Sequence, residues 1–199
     1  DARGAPTTKM SDDIVKQLED FGVIKSVRRC EVLGHVNMFT VAEHSKQRFR
    51  PIKHTRDVNN TLGKETLQPC RFPSKAELCS LVNSGEHFVA FDFASYFDQF
   101  LYSEEIGRRF CFRHGNKFYR LNTLAMGQRQ SVEVASTATR LLLDFPKKCR
   151  VESVIDNVIF VGSKEDVIHD SKIFLERCAA ARVTVNEADD IARNGLESV

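Results

Sequence analysis

Apolar and polar positions divide the chain into short, clearly punctuated elements. In "SDDIVKQLEDFGVI" a Ser or Asp cap precedes Ile14, Val15, Leu18 and Phe21 at helical spacing, and Gly22 closes the pattern, so a short amphipathic helix is expected. "HVNMFTVAEHSKQRFRPIKHTRDVN" reads as two strands around the polar turn "EHSKQ". Arg48, Arg50, Lys53 and Arg56 fall on or just after the return strand, which makes the hairpin basic. "FPSKAELCSLVNSGE" begins at Pro73 and Ser74 and ends before Gly85, as a helix should. "HFVAFDF" follows as a buried strand whose one charge is Asp92.

The second half continues the alternation. "FCFRHGNKFYRL" is a hairpin around "HGN", "SVEVASTATRLLLDF" a helix ended by Pro146, and "VESVIDNVIFVG" a further strand pair. "EDVIHDSKIFLERCAAA" is the next helix and "RVTVN" a final strand. From His87 onward the order is strand, short helix, hairpin, helix, hairpin, helix, strand, as in the split β-α-β arrangement of ferredoxin-like folds. The expected class is α+β, an antiparallel sheet with helices on one face. No internal repeat or low-complexity tract interrupts it.

Composition sets the limits. With 199 residues, 42% of them hydrophobic, the chain can bury a real core as one large domain or as a domain plus a small lobe. No apolar run approaches the roughly 20 residues of a membrane span, and "DARGAPTTKM" lacks the features of a signal peptide, so an intracellular protein (cytoplasmic or nuclear) with no membrane partner is expected. Six cysteines without a C-x-x-C pair argue against a zinc site and a disulfide framework. They read as reduced and mostly buried. The net charge of +2 conceals an asymmetry: bases outnumber acids from Lys25 to Lys64, and acids lead beyond Glu152. That suits a protein gripping phosphates with one lobe and binding cations with the other, although solvated surface charge of mixed sign gives the same pattern.

The apolar run "VIDNVIF" is split by Asp156 and Asn157. Two β-prone segments joined by short polar residues signal a hairpin, and Asp and Asn suit such a turn without any further role. Asp92, however, ends or nearly ends a neighbouring strand. If the two strands are adjacent, the carboxylates of Asp92 and Asp156 converge. Hard oxygen ligands of this kind, completed by backbone carbonyls and substrate phosphates, are what Mg²⁺ requires.

At this point the residues resemble a family. "FDFASYFDQF" is similar to motif A of reverse transcriptases from LTR-type retroelements, and "SVIDNVIFVGS" occupies the place of their motif C, an Asp-Asp hairpin. "FYRLNTLAMGQRQSVEVAS" resembles motif B, "RFRPIKHTRDVN" the fingers motif with Arg50, Arg56 and Asn59, and "IVKQLEDFGVIKS" the opening helix and turn. The resemblance runs in order from about residue 12 to 186. It implies a right-hand polymerase fingers region over residues 1–86, with N-terminal helix, basic β-hairpin and connecting helix, and a ferredoxin-like palm over 87–199. Thumb and RNase H are expected to be absent, the chain being fingers and palm from the polyprotein of an LTR-type or tyrosine-recombinase-type retrotransposon.

Carried over by resemblance, Asp92 and Asp156 hold two Mg²⁺ (or Mn²⁺) ions with the Phe93 carbonyl, and Asn157 completes the catalytic set. Phe97 falls on the position that screens the sugar 2′-OH, a core aromatic being the alternative. Arg50, with Lys46, would clamp the triphosphate of a dNTP. Gly127 and Gln128 would pass the nascent base pair, although Gly127 also fits a plain tight turn. Arg48, Lys53 and Arg56 would contact an RNA or DNA primer-template. Two departures matter. Asn157 replaces the second motif C Asp, as in the polymerases of some negative-strand RNA viruses, and "VNEADDI" lacks the lysine expected there. They favour an alternative in which the chain is a catalytically degenerate module binding nucleic acid or protein. A nucleotide cyclase palm is a third reading, opposed by the basic segment that precedes it.

Overall fold

The computed structural model describes residues 7–44, 47–61, 70–85 and 87–186. The fold is α+β, built from three antiparallel three-stranded sheets and their helices. Contacts group the chain into two compact units of two segments each: Asp1–Thr66 with Phe100–Ser131, and Leu67–Gln99 with Val132–Val199. This contact-based grouping interleaves the segments, whereas the fingers and palm division implied by resemblance is a single cut after residue 86.

The first unit holds two sheets. β1 (Thr7–Thr8), β3 (Asn37–Glu43) and β4 (Arg48–His54) pair in the order β1-β3-β4, and the basic hairpin lies where its alternation predicts. β2 (Ile24–Val27), β6 (Cys111–His114) and β7 (Lys117–Leu121) pair in the order β2-β7-β6. α1 (Asp12–Asp20) is capped by Ser11, whose Oγ accepts the Ile14 amide at 3.4 Å, satisfying one of the free N–H groups of the first turn. Val15 is buried, and Ile14 and Leu18 pack on the core of Ile24, Phe110, Phe112, Tyr119 and Leu121. Phe21, placed with them by periodicity, is 82% exposed because the helix ends at Asp20 and the C-cap residue leaves the apolar face. Arg56 opens a short helix, α2 (Arg56–Thr61), and α4 (Glu104–Gly107) completes the unit.

The second unit contains one sheet, ordered β5-β9-β8, from β5 (His87–Asp92), β8 (Arg150–Val154) and β9 (Asn157–Gly162). α3 (Lys75–Val82) starts with a reciprocal cap: the Glu77 amide donates to Ser74 Oγ at 3.2 Å and the Ser74 amide to Glu77 Oε2 at 2.7 Å. α5 (Ser131–Leu142) follows, and α6 (Lys164–Ala180) lays Phe174 against Phe91 and Phe160, at 5.4 and 5.5 Å between ring centroids.

Three expectations need correction. β5 is not buried on both faces: Val89 and Phe91 face the core, but Phe88 is 46% exposed, as in a sheet covered by helices on one side. "RVTVN" forms no strand and contributes one bridge, Val185 to Phe93. Only Cys111 and Cys178 are buried, while Cys30 and Cys79 are exposed; all six thiols are free. No helix among the described residues is long and apolar enough to cross a membrane.

α6 is fastened to the start of β8 by Asp170, which is 0% exposed and accepts the amides of Lys148 and Cys149 at 2.7 and 2.9 Å. Burial alone pushes this carboxyl up, but the Cys149 and Lys148 amides and the His169 ring outweigh it and hold the group below its ordinary 3.8. A depressed carboxyl stabilises the fold above its unfolded pKa and loses that contribution as pH falls through the folded value. Asp170→Asn should therefore cost about 2 kcal/mol at pH 7, a charged hydrogen-bond acceptor being lost. It should also flatten the fall in stability below pH 3.8. Urea unfolding of both proteins at a series of pH values measures the two effects.

Candidate functional site

In the second unit the register of β5 with β9 places Asp92 directly opposite Asn157, and the Phe93 amide donates to the Asp156 carbonyl at 2.9 Å. β8 and β9 are joined by Ile155 and Asp156 alone, since Val154 already pairs with Asn157. The hairpin tip is thus one position earlier than the Asp-Asn pair suggests. Ile155 sits at φ 56°, a region a β-branched residue occupies at a cost of about 1–3 kcal/mol. Thr139 holds it there, donating from Oγ1 to the Ile155 carbonyl at 3.1 Å. The Tyr96 hydroxyl backs Thr139 by donating to its Oγ1 at 2.8 Å, with the Ala135 carbonyl 3.1 Å away. Burial pushes the Tyr96 hydroxyl up to about 12, the negative charge of Asp156 adding to the effect, so it remains a neutral donor.

Each carboxylate is met by a neutral amide. Asn157 Nδ2 donates to Asp156 Oδ1 at 3.0 Å, and Asn186 Nδ2 to Asp92 Oδ2 at 3.0 Å. The Asn186 amide also reaches the Asp92 carbonyl at 2.8 Å. Asn186 is missed by sequence reasoning, because an asparagine after the apolar "RVTV" carries no local signal of this contact. Gln99 docks the same segment, donating from Nε2 to the Ala94 and Thr184 carbonyls at 2.6 and 3.0 Å and accepting the Thr184 amide at 2.8 Å. Nothing local in sequence announces a contact between residues so far apart. Among the described residues neither Asp92 nor Asp156 is ion-paired to a cation. Two partly exposed carboxylates without counter-charge, beside the backbone of Phe93, are a hard-oxygen donor set that fits a divalent cation. The set is small: no group of three His, Cys, Asp or Glu occurs together among the described residues. Phe97 lies in the 3-10 turn Tyr96–Gln99 and is half-buried, the core places being taken by Phe93 and Tyr96, stacked at 4.2 Å.

In the first unit Arg50 lies on β4 opposite Val41, its Nη2 3.8 Å from Met126 Sδ. Arg48 is paired with Glu43 at 2.6 Å, Lys53 Nζ donates to Thr123 Oγ1 at 3.0 Å, and Arg56 is exposed. Lys46 lies outside the described residues. Gly127 takes φ 96°, which favours glycine, so the turn after Met126 depends on it. Asn59 clamps that turn, donating from Nδ2 to the Gly127 carbonyl at 2.8 Å and accepting the Arg129 amide on Oδ1 at 3.0 Å. Gln128 is 7% exposed, and its Oε1 accepts from the Tyr102 hydroxyl. That hydroxyl, pushed by burial up to about 12, accepts the Ala125 amide at 3.0 Å. Tyr102 had no signal in the sequence beyond its aromatic character.

The fold is similar to that of part of solved retroviral protease-reverse transcriptases. The native protease-reverse transcriptase of prototype foamy virus matches with a TM-score of 0.70 at 18% identity over 92% of this chain. A selenomethionine-labelled CSH mutant of the same protein gives 0.69 at 18% over 90%. The chain spans a quarter of the length of these proteins, 25% in both cases. No protein-family model matches the sequence, and no curated protein does.

The Asn59 clamp yields a test within one unit. Asn59→Ala should destabilise by about 1–3 kcal/mol by leaving its backbone partners unmatched. It should also speed hydrogen exchange at the Arg129 amide. Asn59→Asp, which keeps the acceptor and loses the donor, should protect Arg129 while recovering only part of the stability. Amide exchange followed by NMR, with urea unfolding, reads both.

Proposed function

We propose that the chain is the fingers and palm part of a retroelement reverse transcriptase, an RNA- or DNA-templated DNA polymerase. The observation that carries this reading is the β5 and β9 register, which sets the Asp92 strand end against the Asp156 turn with only neutral amides on the carboxylates. Asp92, Asp156 and the Phe93 carbonyl would hold the divalent ions. Bound Mg²⁺ or Mn²⁺ would lower the pKa of the primer hydroxyl and stabilise the leaving pyrophosphate. Asn157 and Asn186 orient the two carboxylates without neutralising them. Phe97 would exclude a ribose 2′-OH by bulk. Arg50 would bind nucleotide phosphates through its guanidinium fork, and Arg48, Lys53 and Arg56 the primer-template backbone. The Asn59 clamp and Gly127 would give the motif B backbone a fixed surface for the nascent pair. The rest of a retroelement polyprotein is the further partner.

A second reading, a degenerate module that binds nucleic acid or protein, is favoured by the amide of Asn157 in place of an acid and by the absence of a three-acid cluster among the described residues. Incorporation of dTTP on a primed poly(rA) template with Mn²⁺ separates the two. The polymerase reading expects extension by the wild type and none by Asp92→Ala or Asp156→Ala, both folded, since removing a partly exposed carboxylate opens no core cavity. Extension by either variant at the wild-type rate would sink the assignment. Asn157→Asp should keep or raise activity.

Sugar selection gives a further test. Phe97→Val should admit ribonucleotides in single-nucleotide incorporation, because the wall against the 2′-OH is shortened. Unchanged discrimination between dNTP and rNTP would return Phe97 to a packing role.

A further inference from the structure

The first unit carries a basic groove that the polymerase reading does not use. Strand register aligns Val27, Phe118 and Arg113 across β2, β7 and β6, and Lys25, Arg120 and Cys111 two positions along. Alternation puts these six on the face opposite the core side chains Ile24, Phe112, Tyr119 and Leu121. At one end of this face is a groove of about 840 Å³, with Arg28, Arg29, His35, Arg113 and Lys117 among its lining and no carboxylate. Val27 and Phe118 supply its apolar, half-buried part.

The cations are available to a ligand. Among the described residues the side chains of Arg28 and Arg113 are held only through Nε, by Glu31 Oε2 at 3.0 Å and the Gly115 carbonyl at 2.9 Å. The side chains of Arg29, His35 and Lys117 have no hydrogen-bond or ion-pair partner among the described residues. Arg120 adds a buried charge to the same face. It is 6% exposed, and its Nη1 has no hydrogen-bond partner among the described residues. Gly107 leaves room for it, since a Cβ there would come within 2.6 Å of Nη1.

We propose that this groove binds a single-stranded nucleic-acid segment, with phosphates on the cationic rim and a base against Phe118. Several cations spread along one groove suit a chain of phosphates better than a single phosphate. A partly exposed ring among them suits unpaired bases, because those of a duplex are already stacked. An acidic peptide would satisfy the cations but leave the ring unused. The site lies within one unit, shares no residue with Arg48, Arg50, Lys53 and Arg56, and stands whether or not the carboxylates support catalysis.

The test is fluorescence anisotropy of labelled oligo(dT) of about ten nucleotides, within the usual span of such grooves. It is run on the whole chain in EDTA without nucleotide, so that its failure leaves the carboxylate assignment untouched. Arg29→Gln with Lys117→Gln removes two exposed charges that no internal contact uses, and circular dichroism should be unchanged. The slope of log affinity against log salt should fall by about 1.4, at roughly 0.7 for each phosphate contact on a single strand. Phe118→Leu should weaken binding about five-fold or more with the slope kept. A duplex of equal charge should compete less well than the single strand. The proposal is overturned if the wild type does not bind at low salt, if the charge pair and Phe118→Leu both bind like the wild type, or if polyglutamate displaces the strand as well as unlabelled oligo(dT) does.

Discussion

The pairing of β5 with β9 is the constraint on which the candidate metal site depends. A slip of one residue would exchange the faces of β5, turning Val89 and Phe91 outward and Phe88 and Ala90 toward α6. Phe91 and Phe160 are fully buried against Phe174, and burial of a phenylalanine contributes about 1.5–3 kcal/mol. The register is therefore set by the aromatic core, and the position of Asp92 at the strand end is a consequence of it. Apolar packing thus brings the strand end that carries Asp92 beside the turn that carries Asp156.

Both units then use the same device to fix the backbone around the candidate residues. Hydrogen bonds from uncharged side chains do the positioning: Thr139 and Tyr96 behind the Ile155 turn, Gln99 and Asn186 against the Asp92 segment, Asn59 and Tyr102 around the Gly127 turn. Amides and hydroxyls restrain the chain and leave the carboxylate charge unspent. The strained Ile155 fits this logic, for a disfavoured φ persists only where surrounding contacts over-determine it.

The charge asymmetry is sharper in three dimensions than along the chain. Lys25 to Lys64 falls within the first unit, and the segment Phe100–Ser131 joins it there, bringing Arg108, Arg109, Arg113, Lys117, Arg120 and Arg129 against Glu104 and Glu105. The acids beyond Glu152 belong to the second unit with Asp92. Chain segments distant in sequence thus add like charge to the same body, which raises its potential toward anions more than a linear count suggests.

Local rules made most elements legible in the sequence. Capped helices at Ser11 and Ser74, hairpins around short polar turns, and the apolar run of β9 depend on interactions a few residues apart, and the order of motifs was enough to suggest the fold. From the sequence, Asp92 meets the Asp156 turn only if two strands are neighbours; the tertiary structure makes them so through the Phe91, Phe160 and Phe174 core. What the sequence could not yield were contacts spanning many residues: Asn186 on Asp92, Asn59 on Gly127, Gln128 on Tyr102, and the meeting of Arg28 and Arg29 with Arg113 and Lys117 in one groove. Periodicity reports which face of an element is apolar, and capping reports where it ends. Which polar side chain meets which depends on how elements pack and register, and only folding brings those distant groups within hydrogen-bonding reach.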